Sequence, residues 1–423
     1  MMRRAERRSG RAEDRADLDP LRAMVAEVDV DTAKMRIVSG EHSDPRALVL
    51  VRRGRRVVDL VEVVGAHDLP GRILGSTRVP TAERAWAPGG GRCLSASIVI
   101  CTVGTNPLLP DAVRSALAQE AGRIEVVVVD NAPGTGGTRR LLRGVEDPRL
   151  RIVEEPAAGL SRARNCGVAH SHGEVVAFTD DDAVTDPAWL IELLDVFAAD
   201  LSGEVGGVTG ITLPAQLRHR SQRFFESRGG FPKSLEPTVW ALGPLSARVS
   251  AFGAPGAGGP LHPLTTARIG AGVSMAFRRE VLRTVGPFDP ALGAGTRTLG
   301  GEDMDMFARV LRSGWAIVQT PDSVVFHTHR PTVTGLRRQV HGNGTGSAAL
   351  VTKSLIEDPR RLIPVLVRLP EVRRRLARGS ERMAGRDADV PSSLGHTEIT
   401  GLLRGPGLYL RSRLDVAVGG GYR

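Results

Sequence analysis

At 423 residues with 41% apolar content, the chain can bury a sizeable core, as two domains or one large domain with appendages. Its net charge of +10 favours anionic partners, but aromatics make up only 4% and do not interleave with the basic residues, which disfavours a dedicated nucleic-acid surface. Three widely spaced cysteines, Cys93, Cys101 and Cys166, form neither a disulfide framework nor a zinc pattern and suit a reducing cytoplasm.

Residues 1–22 carry charges of both signs without an apolar h-region and read as disordered, not as a signal peptide. Residues 23–91 read as a small β-containing N-terminal domain with a linker. Within it, the β-rich runs 47–51 and 57–64 flank Arg52-Arg53-Gly54-Arg55-Arg56, a hairpin with a solvated basic tip. Residues 71–91 are rich in Gly, Pro and polar residues, as a linker is.

From residue 92 strands alternate with helices. Residues 97–103, 124–129, 150–153 and 175–179 read as strands, and 107–119, 138–142, 160–169 and 189–197 as helices. This pattern predicts βαβ units in an α/β, Rossmann-like, mainly parallel sheet flanked by helices. Residues 206–213 and 272–277 read as further strands and 279–285 as a helix. Residues 224–232 and 253–263 read as loops. A Gly-rich segment, 293–301, leads into a helix at 302–312. Two short strands, 316–318 and 323–326, precede His327 and His329. The tail, 351–423, has fourteen Lys/Arg against eight Asp/Glu and reads as a basic, helical or irregular extension. Its apolar run 362–369, flanked by arginines, fits either an anionic membrane surface or a docked amphipathic helix. No stretch has the uninterrupted apolar length of a transmembrane helix.

The stretch 174–183, EVVAFTDDDA, carries the strongest chemical signal. A buried-type strand stops at Asp180, Asp181 and Asp182. Three adjacent carboxylates sit poorly in a dry core. A solvated turn before the next helix and a divalent-cation site at the strand end both account for them. Asp130 ends another strand. In open α/β sheets that edge binds ligands. Glu302-Asp303 after a Gly-rich loop, and the two histidines after a strand, add a candidate base and further metal ligands.

The motifs SIVICTV, VVVVDNAP, GLSRARNCGVAHSHGEVVAFTDDDA, GVSMAFRREVLRTVGPFD and GEDMDMFARVLRSGW followed by VVFHTH resemble those of family 2 glycosyltransferases with the GT-A fold. The resemblance covers residues 95–345 or so, with the GT-A domain placed at 92–350. It implies an inverting transfer from a nucleotide-sugar donor to an acceptor hydroxyl, in a polysaccharide, lipid or secondary metabolite, with Mn²⁺ or Mg²⁺. By resemblance, Thr102 and the following turn hold the nucleotide, Asp130 the base, and Arg164 lies near the diphosphate. Asp180 and Asp182 form the DxD element: Asp182 binds the metal, and Asp180 contacts the ribose or metal-bound water. His327, with His329 as the alternative, completes the metal shell. Asp181 points the other way and is structural. Asp303 matches the catalytic base, at a helix N-terminus whose dipole favours a carboxylate, with Glu302 and Asp305 as acidic neighbours. The QxxRW motif of processive members is missing, since Arg337-Arg338-Gln339 has no tryptophan, so one sugar per encounter is expected. The expected location is cytoplasmic, with peripheral contact at the inner membrane face open. Two rivals remain: a nucleotidyltransferase, which needs a basic loop that CTVGTNP lacks, and an inactive binding module, which intact Asp182 and Asp303 argue against.

Overall fold

The computed structural model describes residues 18–65, 68–76, 84–377, 380 and 385–419. Four strands, β1 (Leu18–Asp29), β2 (Met35–Ser39), β3 (Arg46–Arg53) and β4 (Arg56–Val64), precede the short helix α1 (Leu69–Ser76). Then follow β5 (Ser95–Thr102), α2 (Leu109–Leu117), β6 (Arg123–Asp130), α3 (Gly137–Leu141), β7 (Leu150–Glu154), α4 (Leu160–Ala169), β8 (Val175–Asp180), β9 (Ala183–Thr185) and α5 (Trp189–Ala199). The chain continues through β10 (Val205–Pro214), β11 (Leu217–His219), α6 (Arg220–Ser227), β12 (Thr238–Trp240), α7 (Ala247–Ser250), β13 (Ala254–Pro255), β14 (Met275–Arg278) and α8 (Arg279–Val285). It ends with α9 (Glu302–Arg312), β15 (Ala316–His327), α10 (Val333–Glu357), α11 (Leu362–Leu376) and α12 (Ser393–Ala417).

The larger sheet has the order β13-β12-β15-β10-β14-β8-β5-β6-β7, with β9 on β15. Strands β15, β10, β8, β5, β6 and β7 all run one way, and β14 is inserted antiparallel between β10 and β8. The sheet is therefore mixed, but its carboxyl edge is shared by six strands. The valine run of β6 follows from helices on both faces: Val126, Val127, Val128 and Val129 are fully enclosed, alternating between two cores.

The N-terminal strands are not a separate body. They form a second sheet that borrows β11 from the middle of the chain. Leu18–Asp29 is one strand, so residues 18–22, read above as disordered, are ordered; residues 1–17 lie outside the described residues. Side chains alternate along these strands. Met24, Ala26, Val49 and Val51 face α1, while Val25, Leu50 and Val57 pack on Ile211, Leu213, Val324 and Phe326 of the larger sheet. The basic hairpin tip is not a solvated turn either. Arg52 is buried between Glu27 (3.0 Å) and Asp186 (3.1 Å), and Arg55 reaches Glu192 (3.2 Å) on α5.

Two other expectations change, and one long helix was not foreseen. The strand split at 319–322 is continuous in β15, because the turn-like Gln-Thr-Pro-Asp sequence finds partners inside. Gln319 donates to the Ser234 carbonyl, and Asp322 accepts from Val57 N at 2.6 Å and pairs with Arg84. Residues 224–227, read as loop, belong to α6, which buries Phe224 and Phe225 against Leu336 and Val340 of α10. The 25-residue α10 was hidden by Gly342, Gly344 and Gly346, which lower helix propensity.

Those glycines permit close backbone contact. A Cβ on Gly344 would lie 2.3 Å from the Glu398 carbonyl oxygen of α12, and one on Gly346 would lie 2.7 Å from the carbonyl carbon of Gly300. Gly344→Val is expected to destabilise the protein by about 1–3 kcal/mol or more, the range for overpacking. Chemical denaturation reads this; an unshifted midpoint would mean that α10 and α12 separate at little cost.

Candidate functional site

Thr102, Asp130, Asp180 and His327 end β5, β6, β8 and β15. Since these strands run the same way, all four residues reach the carboxyl edge, the ligand-binding edge of open α/β sheets. A cavity of about 610 Å³ opens there, with Thr102, Asn106, Asn131, Gly159, Asp182 and Arg330 in its wall.

The three aspartates have different tasks. Asp181 turns back on β5, accepting from the Thr102 hydroxyl and from Asn106 Nδ2 at 3.0 Å. These contacts shape the turn, and Asp181 is itself part of the cavity wall. Asp182 is held against β15 by the antiparallel register Ala183↔His327 and by Thr328 N donating to its carbonyl at 2.9 Å. Its carboxylate lies 3.2 Å from His327 Nε2 and 3.3 Å from Arg330 Nη1. Asp180, Asp182 and His327 offer ligand atoms all within 4.8 Å of one another.

This group fits a divalent cation. Two carboxylates and an imidazole suit Mn²⁺ or a similar metal. Burial pushes Asp180 up to about 6; Arg164 opposes this and the neighbouring Asp182 adds to it. A cation would relieve that repulsion. Burial works against charge on Asp182 too, but His327 outweighs it and holds the carboxyl below its usual range. The His327 ring shifts the other way: burial opposes its protonation, and the Asp182 charge raises it.

His329 does not join this group. It stands behind His327, with the two Nδ1 atoms 3.0 Å apart, and its Nε2 is 2.8 Å from Glu226, which pairs with Lys233 at 2.7 Å. A carboxylate only accepts, so Nε2 of His329 donates and its Nδ1 accepts from His327. His327 Nε2 faces the Asp182 carboxylate at 3.2 Å and by the same rule donates to it; to ligate a cation it would release that proton, with Nδ1–H kept toward His329. This is the outer-shell orientation that metal-binding histidines require. Among the described residues, the ligand atoms that cluster with Asp180 and Asp182 are those of His327 and not of His329.

Burial alone would raise Glu226, yet Lys233 and His329 hold it at about 2, down from 4.5. A depressed folded value means that its stabilising contribution is present above pH 4.5 and is lost as pH falls toward 2. Glu226→Gln should therefore flatten the acid side of the stability profile. Denaturation midpoints measured across that window check this, and an unchanged slope would show that the pair is unimportant to folding.

Arg164 lies at the centre of a second cluster. It is 3% exposed, donates to Glu302 at 2.8 Å and to the Gly272 carbonyl at 3.3 Å, and lies 3.7 Å from Asp180. Its guanidinium also sits over Phe178 and Phe288. So enclosed, it ties Asp180 to the start of α9 and does not face the cavity; the arginine in the cavity wall is Arg330. Burial and Asp303 raise Glu302 to about 7, against the pull of Arg164. Asp303 accepts from Gly272 N at 2.9 Å and Met304 N at 2.7 Å. Gly301, at φ 97°, starts the helix in a conformation that suits glycine. Asp305 is not a neighbour of Asp303 in space: it is fully buried on the other face, paired with Lys353 and Arg309 at 2.9 Å.

The two expected nucleotide contacts differ in their surroundings. The Thr102 hydroxyl is in the cavity wall but already engaged by Asp181 and Gly104 N. Asp130 is buried and accepts from Ala132 N at 3.0 Å; its neighbour Asn131 forms the wall. Sequence reading missed Asn106, Asn131, Arg330 and Glu226. The first three adjoin recognised motifs, in GTNP, VDNAP and HTHR, and that adjacency was the available signal. Glu226 lay in a stretch read as loop.

Comparison with known proteins supplies the class: the chain carries a glycosyltransferase domain. Residues 97–286 match the model of Glycosyl transferase family 2. The chain is 28% identical over 249 residues to the succinoglycan biosynthesis protein ExoM of Rhizobium meliloti (strain 1021), covering 56% of this chain and 67% of that protein. It is 31% identical over 130 residues to ExoO of the same organism, covering 30% of this chain and 36% of that protein. Among solved structures, the mannosyltransferase PcManGT from Pyrobaculum calidifontis, in complex with GDP-Man and Mn²⁺, aligns at 18% identity and TM-score 0.48, over 77% of this chain and 90% of that one. Among the described residues, no helix is long and apolar enough to cross a membrane.

Proposed function

We propose that the chain is an inverting, metal-dependent GT-A glycosyltransferase that moves one sugar per encounter from a nucleotide-sugar donor to an acceptor hydroxyl. The observation that carries this reading is the convergence of Asp180, Asp182 and His327 beside the cavity, with Asp182 in its wall and Asp180 tied through Arg164 to the helix start bearing Glu302 and Asp303. Asn106, Asn131 and the Thr102 turn form the wall in which the nucleotide would lie. Arg330, at the mouth and 55% exposed, would swing from Asp182 to the diphosphate as the donor enters. A cation held by Asp180, Asp182 and His327 would offset negative charge on the leaving diphosphate. Asp303 would take the proton of the attacking hydroxyl, with Glu302 keeping Arg164 and the local backbone in place. The three free cysteines are compatible with a reducing, cytoplasmic setting.

The test is a thermal-shift screen against UDP-, GDP- and dTDP-sugars with Mn²⁺, Mg²⁺ or EDTA, followed by NMR of the product's anomeric configuration. Metal-dependent stabilisation by one donor and an inverted product are expected. A retained configuration would remove the single-displacement mechanism, and a donor response indifferent to EDTA would remove the metal.

A further inference from the structure

α11 leaves a broad apolar face uncovered. None of its fifteen residues is buried. Leu362, Ile363, Leu366, Val367 and Leu369 are 46%, 67%, 57%, 73% and 43% exposed. At 100° per residue these five side chains fall within one arc of roughly 160°. The opposite side is mixed: it carries Arg368 and Arg375, with Val365, Val372 and Leu376 half-buried beside Arg375. Arg368 donates to the Pro260 carbonyl at 2.9 Å, and Arg375 stands beside Gly259. A helix on a globular surface normally turns its apolar stripe inward.

The charge around this face indicates what covers it. Residues 360–376 contain six arginines and one glutamate. Arg373 and Arg374 are exposed, make no ion pair among the described residues, and project over the same arc as the leucines. A face that is apolar at its centre and cationic at its end matches an anionic bilayer, where apolar side chains enter the acyl boundary and arginines meet the headgroups. Pairing with a second copy would bring two such arginine groups together, so charge disfavours self-association.

We propose that α11 is a peripheral anchor that lies in the surface of an anionic phospholipid membrane. This is independent of the sugar-transfer reading, because no residue of the candidate site takes part. The test is sedimentation of the full chain with vesicles of phosphatidylcholine alone or mixed with phosphatidylglycerol, at low and high salt. Binding to the mixed vesicles only, weakened by salt, is expected. The double variant Leu366→Asp/Val367→Asp should lose binding. Arg373→Glu/Arg374→Glu should weaken it by at least fivefold for each charge removed. All four positions are exposed, so circular dichroism and melting should match the unaltered chain, as should nucleotide-induced thermal shifts. Equal binding to both vesicle types, no binding to either, or variants that bind like the parent would overturn the proposal. So would a dimer in analytical ultracentrifugation that the Leu366→Asp/Val367→Asp change dissolves, which would assign the face to a second copy.

Discussion

Asp303→Asn is expected to abolish sugar transfer while nucleotide and metal binding persist. The substitution keeps size and shape and, through its single carbonyl oxygen, one of the two backbone contacts (Gly272 N to Oδ2, Met304 N to Oδ1) that orient the side chain; an amide NH2 takes the place of the other acceptor. What it removes is the ability to take a proton. General-base catalysis contributes about 10²–10⁴-fold, so turnover should fall by that order. The loss should appear in the rate constant for transfer and not in the donor's dissociation constant, because among the described residues the side-chain hydrogen bonds of Asp303 go to Gly272 N and Met304 N, neither of which is in the cavity wall. Full turnover in the variant would move the base elsewhere. The nearest alternative is Glu302, whose raised value of about 7 suits proton exchange but whose side chain is enclosed with Arg164.

Asp182→Ala should have the largest effect on binding. It removes one carboxylate from the three-residue group and leaves His327 without its partner. Outer-shell changes at metal sites typically cost about 10–100-fold in affinity, and loss of a direct ligand should cost at least as much. Calorimetry with Mn²⁺ should show the loss, and nucleotide affinity in the variant should no longer respond to EDTA. Glu226→Ala provides the comparison. It touches no proposed ligand but releases His329, and through it the orientation of His327. Its Mn²⁺ affinity should fall within the outer-shell range, between the parent and Asp182→Ala. Unchanged Mn²⁺ affinity in Asp182→Ala would dismiss the metal centre altogether.

The catalytic half of the fold was legible because its signals are local. A run such as Val126–Val129 has few alternatives to a strand buried on both faces, and α4, α8 and α9 match their expected spans. The carboxyl-edge residues followed from that alternation. What stayed hidden depends on contacts distant in sequence. Arg52 looks like a hairpin tip until Glu27 and Asp186 enclose it. Arg164 looks available to a diphosphate until Glu302, Gly272 and Asp180 fill its reach. The different surroundings of His327 and His329 depend on Glu226, about a hundred residues upstream of His329. No periodicity or spacing encodes such pairings.

The Gly346 contact with Gly300 and the Gly344 contact with α12 also bear on the order in which the molecule is made. The turn that launches the Asp303 helix rests on a segment synthesised after it, and that segment is clasped by Ser393–Ala417, which comes later still. A chain on the ribosome can contain every residue of the candidate site while the wall behind it is missing. Composition is complete well before shape. Catalytic competence is therefore expected to arrive late, with the docking of the final helix, and not with the motifs that define the family.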